Sequence, residues 1–587
     1  MRKSTLRALI PAFALLAAAP LHAIETEEAS DEAFEAGAPA APVAAQPAAP
    51  LRAEADLPLD PRFSPERIKA DISFFADDLL QGRDVGSTGH EIAARFVAQR
   101  FAALGLVPMG DVGADGQRGW LQRITFQKTE FADAPAGVEV VGPKGKTAFT
   151  HGKQVLIGAS ANEPKLDLTA PLVFVGYGID NAAMGINDYA GLDVKGKIVV
   201  LLRGYPAGMP SEEGAHLSAT KAQMAQAHGA IGVITVATNA SAKVRPWEKS
   251  VQTAFSPSYA WVGPDGKANE GAPGIRTAIS VSDEAAAALL EGAPKSLAQI
   301  RAEADKAGGR PKGFALKASL HAFVQSKSSR VTSPNVVAIL PGTDLKDQFV
   351  VLSGHLDHLG VGKVKEGEPA DKDRIYNGAM DNAAGTATTL EVARVMAADK
   401  AGPRRSVLFL ITTAEEKGLL GADYYANHPT IPAEKIVGNV DLDMPVLLYP
   451  FTDVIAYGAD HSTLGPIVAD AVRPMQVGLS PDPMPAETIF VRSDHYRFVR
   501  KGVPAVFLAT GWANGGAKAF GDFLAHTYHQ PNDDMTQAWN WRAGARFAEA
   551  NYRITRAMAV GATPPLWFKG DFFGATFAAQ APKAERK

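Results

Sequence analysis

The second half of this chain alternates apolar runs of strand length with segments of helical periodicity. Five such runs follow Ser333, with the sequences NVVAILPG, QFVVLSGH, SVLFLITT, VGNVDLD and VPAVFLAT. Helices are predicted among them at residues 384–396, 462–472 and 541–558. Strands that alternate with helices favour an α/β fold, with a mainly parallel mixed sheet covered by helices on both faces.

A stretch of different character lies earlier in the chain, from about residue 165 to 325. Short β-rich runs such as PLVFVGYGI, GKIVVLLR and AIGVITVA are separated by glycine and proline turns, with one helical stretch at residues 219–228. We interpret this stretch as a β-rich domain inserted into the α/β fold. Residues 59–164, which include an amphipathic helix near residues 92–104, would then form the first part of the interrupted domain, and residues 326–587 its main part.

The first residues have the layout of a secretory signal peptide. A basic start is followed by an apolar run from Ala8 to Ala19, and the small residue Ala23 precedes an acidic stretch. The run is shorter than the roughly 20 apolar residues that span a bilayer. Residues 24–58 are rich in alanine and proline and predict a disordered tether. We therefore expect an exported protein, periplasmic or extracellular, with no membrane span.

Composition limits the chemistry that this chain can perform. Its 587 residues carry a net charge of -4 and show no basic excess, which argues against nucleic acid or an anionic membrane as partner. The chain contains no cysteine, so any metal site must use histidine and carboxylate ligands. The sequence gives no indication of the oligomeric state.

Acidic and imidazole side chains follow the ends of the predicted strands. They are His355 and Asp357 in SGHLDHLG, Asp381 in GAMDNAAG, Glu415 and Glu416 in TTAEEKGLLG, and Asp443 in VGNVDLDMP. An open parallel sheet presents its ligands at the carboxyl ends of its strands. One carboxylate can bridge two cations about 3.5 to 4 Å apart, and Asp381 is the candidate bridge. The pattern predicts a two-metal hydrolytic site.

Two further roles follow from the spacing of these residues. Asp357 lies two residues after His355, on the same side of the chain, where its carboxylate is placed to accept the second ring N–H of that histidine. Side chains of the adjacent Glu415 and Glu416 diverge, so one of them can bind metal while the other moves protons.

The residues alone leave two choices of ligand open. Asp441 competes with Asp443, which we prefer because it is nearer the strand end. A late imidazole comes from HTYHQPNDD, where His526 and His529 are poorly separated, although the turn at Gln530 favours His529. The other histidines are expected at the surface or behind the ligands, namely His358, His428, His461 and His495.

Two divalent cations held by oxygen and imidazole ligands suit zinc, with cobalt or manganese as substitutes. Such a centre acidifies water, and a nearby carboxylate can take the released proton. The expected chemistry is hydrolytic attack on a carbonyl group.

These motifs resemble those of the co-catalytic di-zinc aminopeptidases, a family that also includes glutamate carboxypeptidase and the transferrin receptor. The resemblance covers roughly residues 333–560 and implies the zinc exopeptidase fold. It is carried by HLDH at 355–358, GAMDNAAG at 378–385, TAEEKGLLGA at 413–422, LDM at 442–444, SDHYRFVRKGVPA at 493–505 and YHQPNDD at 528–534. The insert is similar to a protease-associated (PA) domain in NDYAGLDVKGKIVVLLRG and KAQMAQAHGAIGVITV.

The resemblance implies a role for each candidate residue. Asp381 would bridge both zinc ions, preceding a cis peptide bond to Asn382. The remaining assignments are His355 and Asp443 at one zinc, Glu416 and His529 at the other, Glu415 as general base, and Asp357 as the carboxylate that orients His355.

The function implied is an aminopeptidase that removes N-terminal residues from peptides. One alternative is a carboxypeptidase, which needs a basic pocket, for which Arg492 and Arg497 are candidates, whereas Asp494 suits a substrate amine. Another is glutaminyl cyclase, which uses a similar fold with one zinc. A receptor without activity would lack ligands, and none is missing here.

Overall fold

The computed structural model describes residues 51–158, 161–364, 367–369 and 371–586. The signal peptide predicted at 1–23 and most of the tether lie outside the described residues. Residues 51–58, which the composition predicts to belong to the tether, pack against the folded domain: Arg52 N donates to Asn514 Oδ1 at 2.7 Å, and Leu57 is buried. Among the described residues, no helix is both long enough and apolar enough to cross a membrane.

The first part of the chain that the structure describes supplies two helices and two strands that pack onto the later sheet. They are α1 (Pro65–Phe75), α2 (Thr88–Ala103), β1 (Val107–Pro108) and β2 (Leu121–Phe131). Ser64 and Ser87 cap the helices by accepting the backbone N–H groups three residues on. Helix α2 includes the predicted amphipathic segment.

The next segment contains ten strands. They are β3 (Gly137–Gly142), β4 (Gly145–Thr150), β5 (Val155–Ile157), β6 (Lys165–Phe174), β7 (Asp180–Asn181), β8 (Ile186–Asn187), β9 (Ile198–Leu202), β10 (Gly232–Val236), β11 (Ser258–Trp261) and β12 (Thr277–Val281).

The same segment contains more helix than the single stretch that the sequence predicts. Its helices are α3 (Ser211–Ala219), α4 (Lys221–Ala227), α5 (Asn239–Val244), α6 (Trp247–Ser250), α7 (Asp283–Leu289) and α8 (Leu297–Ala304). Helices α7 and α8 begin at the capping serines Ser282 and Ser296, a start signal that the strand-based prediction left unused.

The remaining strands are β13 (Phe314–Leu340), β14 (Leu345–His355), β15 (Gly360–Val361), β16 (Ile375–Tyr376), β17 (Arg405–Thr412), β18 (Ile436–Leu442), β19 (Asp453–Tyr457), β20 (Gly478–Ser480) and β21 (Ala505–Thr510). The remaining helices are α9 (Ala384–Ala398), α10 (Leu420–Asn427), α11 (Leu464–Val472), α12 (His495–Val499), α13 (Gly516–His526), α14 (Trp541–Val560) and α15 (Phe572–Phe577). All five predicted strands and all three predicted helices are present.

The centre of the main sheet is parallel, in the order β17, β14, β18, β21, and antiparallel strands border it on each side. Strand β13 links this sheet to that of the insert. Up to Gln325 it pairs with β6, and from Ser326 onward it pairs with β2. The insert is thus joined to the α/β domain through a shared strand as well as through its chain connections.

Alternate residues of the central strands enter two different cores. Val350, Leu352 and Phe409 pack with helices α1, α2, α9 and α14, whereas Val351 and Leu408 pack with α10, α12 and α15. Parallel strands covered on both faces are apolar at successive positions, which explains the continuous runs in the sequence. The predicted mixed α/β fold with a β-rich insert is confirmed.

Candidate metal centre

The predicted ligands meet at the carboxyl edge of the central strands. His355 is the last residue of β14, Glu416 follows β17, and Asp443 follows β18. Because parallel strands end at one edge of the sheet, residues far apart in sequence come together there. Asp381 joins them from the turn before α9, and His529 from the loop after α13.

The first cluster consists of His355, Asp381 and Asp443. His355 Nε2 lies 3.2 Å from Asp381 Oδ1 and 3.1 Å from Asp443 Oδ1. The ring is fully buried, and its other nitrogen, Nδ1, lies 3.1 Å from the main-chain oxygen of Asp357. That contact fixes the ring so that Nε2 faces the two carboxylates.

The second cluster consists of Asp381, Glu416 and His529. His529 Nε2 lies 3.0 Å from Asp381 Oδ2 and 3.3 Å from Glu416 Oε2. The two oxygens of Asp381 therefore face different clusters, Oδ1 the first and Oδ2 the second. This is the arrangement that a bridging carboxylate requires.

The spacing within both clusters fits zinc. Ligand atoms bound tetrahedrally at about 2.0 to 2.2 Å lie about 3.3 Å from one another. The imidazole-to-carboxylate distances of 3.0 to 3.3 Å are close to that value. The donor set, of imidazole and carboxylate only, also suits a divalent cation of this kind.

The turn that carries Asp381 depends on small neighbours. Gly378 has a φ of 58°, and a Cβ atom there would lie 2.5 Å from the Cγ of His358. A Cβ atom on Gly385, in the first turn of α9, would lie 2.5 Å from Leu442 O at the end of β18. Glycine therefore lets the turn and the helix approach the strand ends. The peptide bond between Asp381 and Asn382 is cis, as the resemblance implies.

Burial and neighbouring charges separate the pKa values of these carboxylates. Burial and the adjacent Asp443 and Glu416 raise the pKa of Glu415 well above its ordinary value. Burial also opposes ionisation of Glu416, but His529 and His358 lower its pKa well below the ordinary value. His355 and His529 likewise hold the pKa of Asp381 low, against the effect of burial.

Glu415 lies beside the first cluster. Its Oε2 is 3.9 Å from His355 Nε2, farther than the oxygens of Asp381 and Asp443, and its side chain is 10% exposed. Its backbone N–H donates to Asp357 Oδ1 at 3.0 Å. The hydrogen bond of Asp357 to the His355 ring thus runs through its main-chain oxygen, while its carboxylate anchors the backbone of Glu415.

The two competing ligands lie outside the clusters. Asp441 is buried behind Asp443 and accepts hydrogen bonds from the hydroxyls of Ser353 and Ser493 at 2.6 and 2.7 Å. His526 is exposed at the end of α13. The structure brings Asp443 and His529 into the site and leaves Asp441 and His526 out of it.

Three buried residues that support the site were not assigned a role from the sequence. Arg83 donates to the carbonyls of Phe75, Leu356, Asn377 and Gly378. Asp533 accepts the N–H groups of Met380 and Asp381. His358, expected at the surface or behind the ligands, contacts Glu416. The sequence signal that could have identified these three residues is their position within the motifs LLQGRD, YHQPNDD and HLDH.

The charged residues that the sequence offers for substrate recognition have partners within the protein. Asp494 is 1% exposed and its Oδ2 accepts the hydroxyl of Thr412, so its role with a substrate amine stays a prediction. Arg497 is buried and donates to Gly418 O. Arg492 lies 3.7 Å from Glu487 in an ion pair.

Comparison with known proteins gives two family matches. Residues 335–555 match Peptidase family M28, and residues 168–289 match the PA domain. The second match lies within the segment that the sequence predicts to be an insert.

Individual relatives are more distant. A probable zinc metalloprotease of Leptosphaeria maculans is 30% identical over 25% of this chain and 32% of its own length. A probable leucine aminopeptidase 2 of Aspergillus oryzae is 28% identical over 37% of this chain and 43% of its own length. The chain thus spans less than half the length of both. Among solved structures, the aminopeptidase from Aneurinibacillus sp. strain AM-1 is 21% identical with a TM-score of 0.47, covering 85% of this chain and 94% of that one.

Proposed function

Because this chain belongs to Peptidase family M28 and carries a PA domain within the peptidase fold, we propose that it is a zinc aminopeptidase that removes N-terminal residues from peptides. The proposal rests mainly on Asp381, because its Oδ1 and Oδ2 face two separate clusters of ligands. A site for two zinc ions needs such a shared carboxylate.

His355, Asp381 and Asp443 would hold one ion, and Asp381, Glu416 and His529 the other. When bound, the ions supply Lewis acidity that polarises a carbonyl group and acidifies water. Cobalt or manganese would be functional substitutes. The geometry of both clusters supports this division of the ligands.

Glu415 is the proposed general base. It lies next to His355 without closing either cluster, so its carboxylate is free to accept a proton from water and return it to the leaving amine. Asp357 holds the backbone of Glu415 through its carboxylate and the ring of His355 through its carbonyl. It would therefore position the base and a ligand together.

The charges around the site favour a substrate amine over a substrate carboxylate. A carboxypeptidase needs an available cation, but four cations of the neighbouring loops already have partners. Arg83 and Arg497 donate to backbone carbonyls, Lys417 lies 3.1 Å from Asp84, and Arg492 pairs with Glu487. These contacts leave none of the four cations available to a substrate carboxylate. The aminopeptidase name of one relative agrees with this preference.

Two further proposals concern the whole chain. The sequence places the insert at residues 165–325, and the change in pairing of β13 between Gln325 and Ser326 supports its end. The pairings of β3 with β13 and of β5 with β12 extend the sheet of the insert to strands that precede residue 165. From the predicted signal peptide at residues 1–23 we propose export to the periplasm or the extracellular space.

The test compares peptides that differ only at their ends. The purified protein, with its zinc content measured, is assayed with leucine and alanine p-nitroanilides, peptides with amidated C-termini, N-acetylated peptides with free C-termini, and a peptide that begins with glutamine. We expect cleavage of every substrate with a free amine, loss of cleavage with a chelator, and recovery with zinc. A zinc-loaded protein that cleaves only N-blocked peptides would instead be a carboxypeptidase, and one that only cyclises N-terminal glutamine would be a glutaminyl cyclase.

A further inference from the structure

The imidazole of His358 lies close to the second cluster but differs from its ligands in one distance. His358 Nδ1 and Glu416 Oε1 are 2.5 Å apart. The four imidazole-to-carboxylate distances that define the clusters are 3.0 to 3.3 Å. Two atoms bound to the same zinc ion lie about 3.3 Å apart, so the shorter distance is that of a direct hydrogen bond.

The two oxygens of Glu416 consequently have different neighbours. Oε1 contacts His358, whereas Oε2 faces His529 at 3.3 Å. A carboxylate with one oxygen engaged in a short hydrogen bond offers the other to a metal. We propose that His358 is a positioning residue that donates its Nδ1–H to Glu416, so that Glu416 binds the second zinc through Oε2 alone.

The surroundings of His358 support this role. The residue is fully buried, and its backbone N–H donates to Arg83 O at 3.3 Å. Gly378 leaves room for the ring, because a Cβ atom at that position would lie 2.5 Å from its Cγ. The backbone of the loop and the space beside the ring therefore fix where Nδ1 points.

The tautomer also follows from the contacts. A carboxylate accepts hydrogen bonds only, so the proton of this contact belongs to Nδ1 of His358. Among the residues that the structure describes, Nε2 is buried and has no hydrogen-bond partner. A ring N–H at Nδ1 fits these surroundings, because an N–H at Nε2 would be buried without an acceptor.

One consequence is chemical. If Glu416 uses a single oxygen, the second zinc keeps a coordination position that a two-oxygen carboxylate would fill. That position is available to water or to the substrate amine. His358 would thus determine whether a coordination position of the second zinc stays available, without binding the ion itself. This inference rests on the proposed two-zinc site.

The test measures zinc binding. His358→Phe keeps the ring volume and removes the donor, whereas His358→Asn restores an N–H close to the position of Nδ1. Zinc stoichiometry and affinity are measured by competition with a chelating dye. For His358→Phe we expect one unchanged site and a second weakened about 10- to 100-fold, as found when hydrogen bonds to metal ligands are removed. His358→Asn should bind nearly as the wild type does.

His151→Phe is the matched control. His151 is a buried imidazole outside both ligand clusters with hydrogen bonds to Ala254 O and Ile157 N, so its loss affects folding in a similar way but not zinc binding. X-ray absorption of the zinc-loaded wild type adds a measurement that needs no variant. We expect an average of one imidazole per zinc, from His355 and His529.

Three results would overturn the inference: unchanged zinc affinity in His358→Phe, equal weakening in His358→Asn, or an average of one and a half imidazoles per zinc, which would make His358 a ligand. A wild-type protein that does not bind two zinc ions would instead refute the proposed site itself.

Discussion

Glu212 of the insert and His461 of the peptidase domain form a hydrogen bond of 2.6 Å between Oε2 and Nε2. The other ring nitrogen of His461 lies 2.5 Å from Asp571 Oδ2. Glu212 Oε1 also accepts the backbone N–H of Gly458 at 2.9 Å. A single carboxylate at the start of α3 therefore holds both the backbone and the imidazole of the neighbouring domain.

The same helix approaches the metal centre. His216 of α3 lies 2.7 Å from the hydroxyl of Tyr496, at the start of α12. Ser493, three residues earlier, has its hydroxyl 3.0 Å from Asp443 Oδ2. The insert thus contacts the segment at residues 493–496, which hydrogen-bonds the candidate metal ligand Asp443. The packing of the insert is therefore coupled to the position of that ligand.

Replacing Glu212 by glutamine should destabilise the protein in a pH-dependent way. Burial disfavours the charged ring, but Asp571 and Glu212 raise the pKa of His461 to about 10. Because the folded pKa exceeds the ordinary value of about 6.5, the stabilisation is complete below pH 6.5 and is lost as the pH rises through 10. Breaking such a pair costs about 3 kcal/mol.

Thermal or denaturant unfolding of the wild type and Glu212→Gln, measured from pH 6 to pH 10.5, checks this prediction. The difference in stability should be largest at pH 6 and shrink towards pH 10. Glu213→Gln, one residue along the same helix, is the control. A difference that does not vary with pH would show that the charge of His461 contributes nothing.

Replacing Glu415 by glutamine should abolish turnover and leave the zinc content intact. The amide keeps the shape of the side chain but cannot accept a proton from water, and general bases contribute about 10²- to 10⁴-fold to rate. The measurements are kcat for leucine p-nitroanilide and zinc per chain by elemental analysis. Loss of zinc together with activity would reassign Glu415 as a ligand.

The candidate ligands could be predicted from sequence because each carries a local signal. His355 and Asp443 stand where an apolar strand ends, and Asp381 stands in a run of small residues before a helix. Parallel topology then brings these positions to one edge. The selection of His529 over His526 needed the family resemblance, because both occur in one short motif.

Other contacts had no local signal in the sequence. Glu212 and His461 are 249 residues apart, and their meeting depends on how the insert packs. The hydrogen bond between His358 and Glu416 depends on the loop after β14 and on the space beside Gly378. Asp357 was predicted to orient His355 with its carboxylate. The main-chain oxygen makes that contact, which side-chain chemistry alone does not reveal.

Variants of the ligands should differ in the number of zinc ions lost. Asp381→Asn removes charge from the carboxylate that faces both clusters, so we expect binding of both ions to weaken. Asp443→Asn affects the first cluster alone and should leave one tightly bound zinc. Zinc titrations of the two variants give the answer directly. Equal losses in both would argue against Asp381 as the bridge.

Arg83 should be among the least replaceable residues outside the ligand set. Its guanidinium is fully buried and donates to Leu356 O, Asn377 O and Gly378 O, which belong to the two loops that carry His355 and Asp381. Lysine has a single nitrogen and cannot reach all of these carbonyls, and a buried acceptor left without a donor costs about 1 to 3 kcal/mol.

Arg83→Lys should therefore lower the unfolding free energy by several kcal/mol, roughly the sum over two or three such carbonyls, and should weaken zinc binding because both loops lose a shared anchor. Arg404→Lys is the matched control, since the pair of Arg404 with Asp344 is 41% and 55% exposed and such pairs contribute less than about 1 kcal/mol. Denaturant unfolding of zinc-free protein and zinc titration separate the two effects. If Arg83→Lys were as stable as Arg404→Lys and bound zinc normally, the two loops would be held by their own packing and not by this guanidinium.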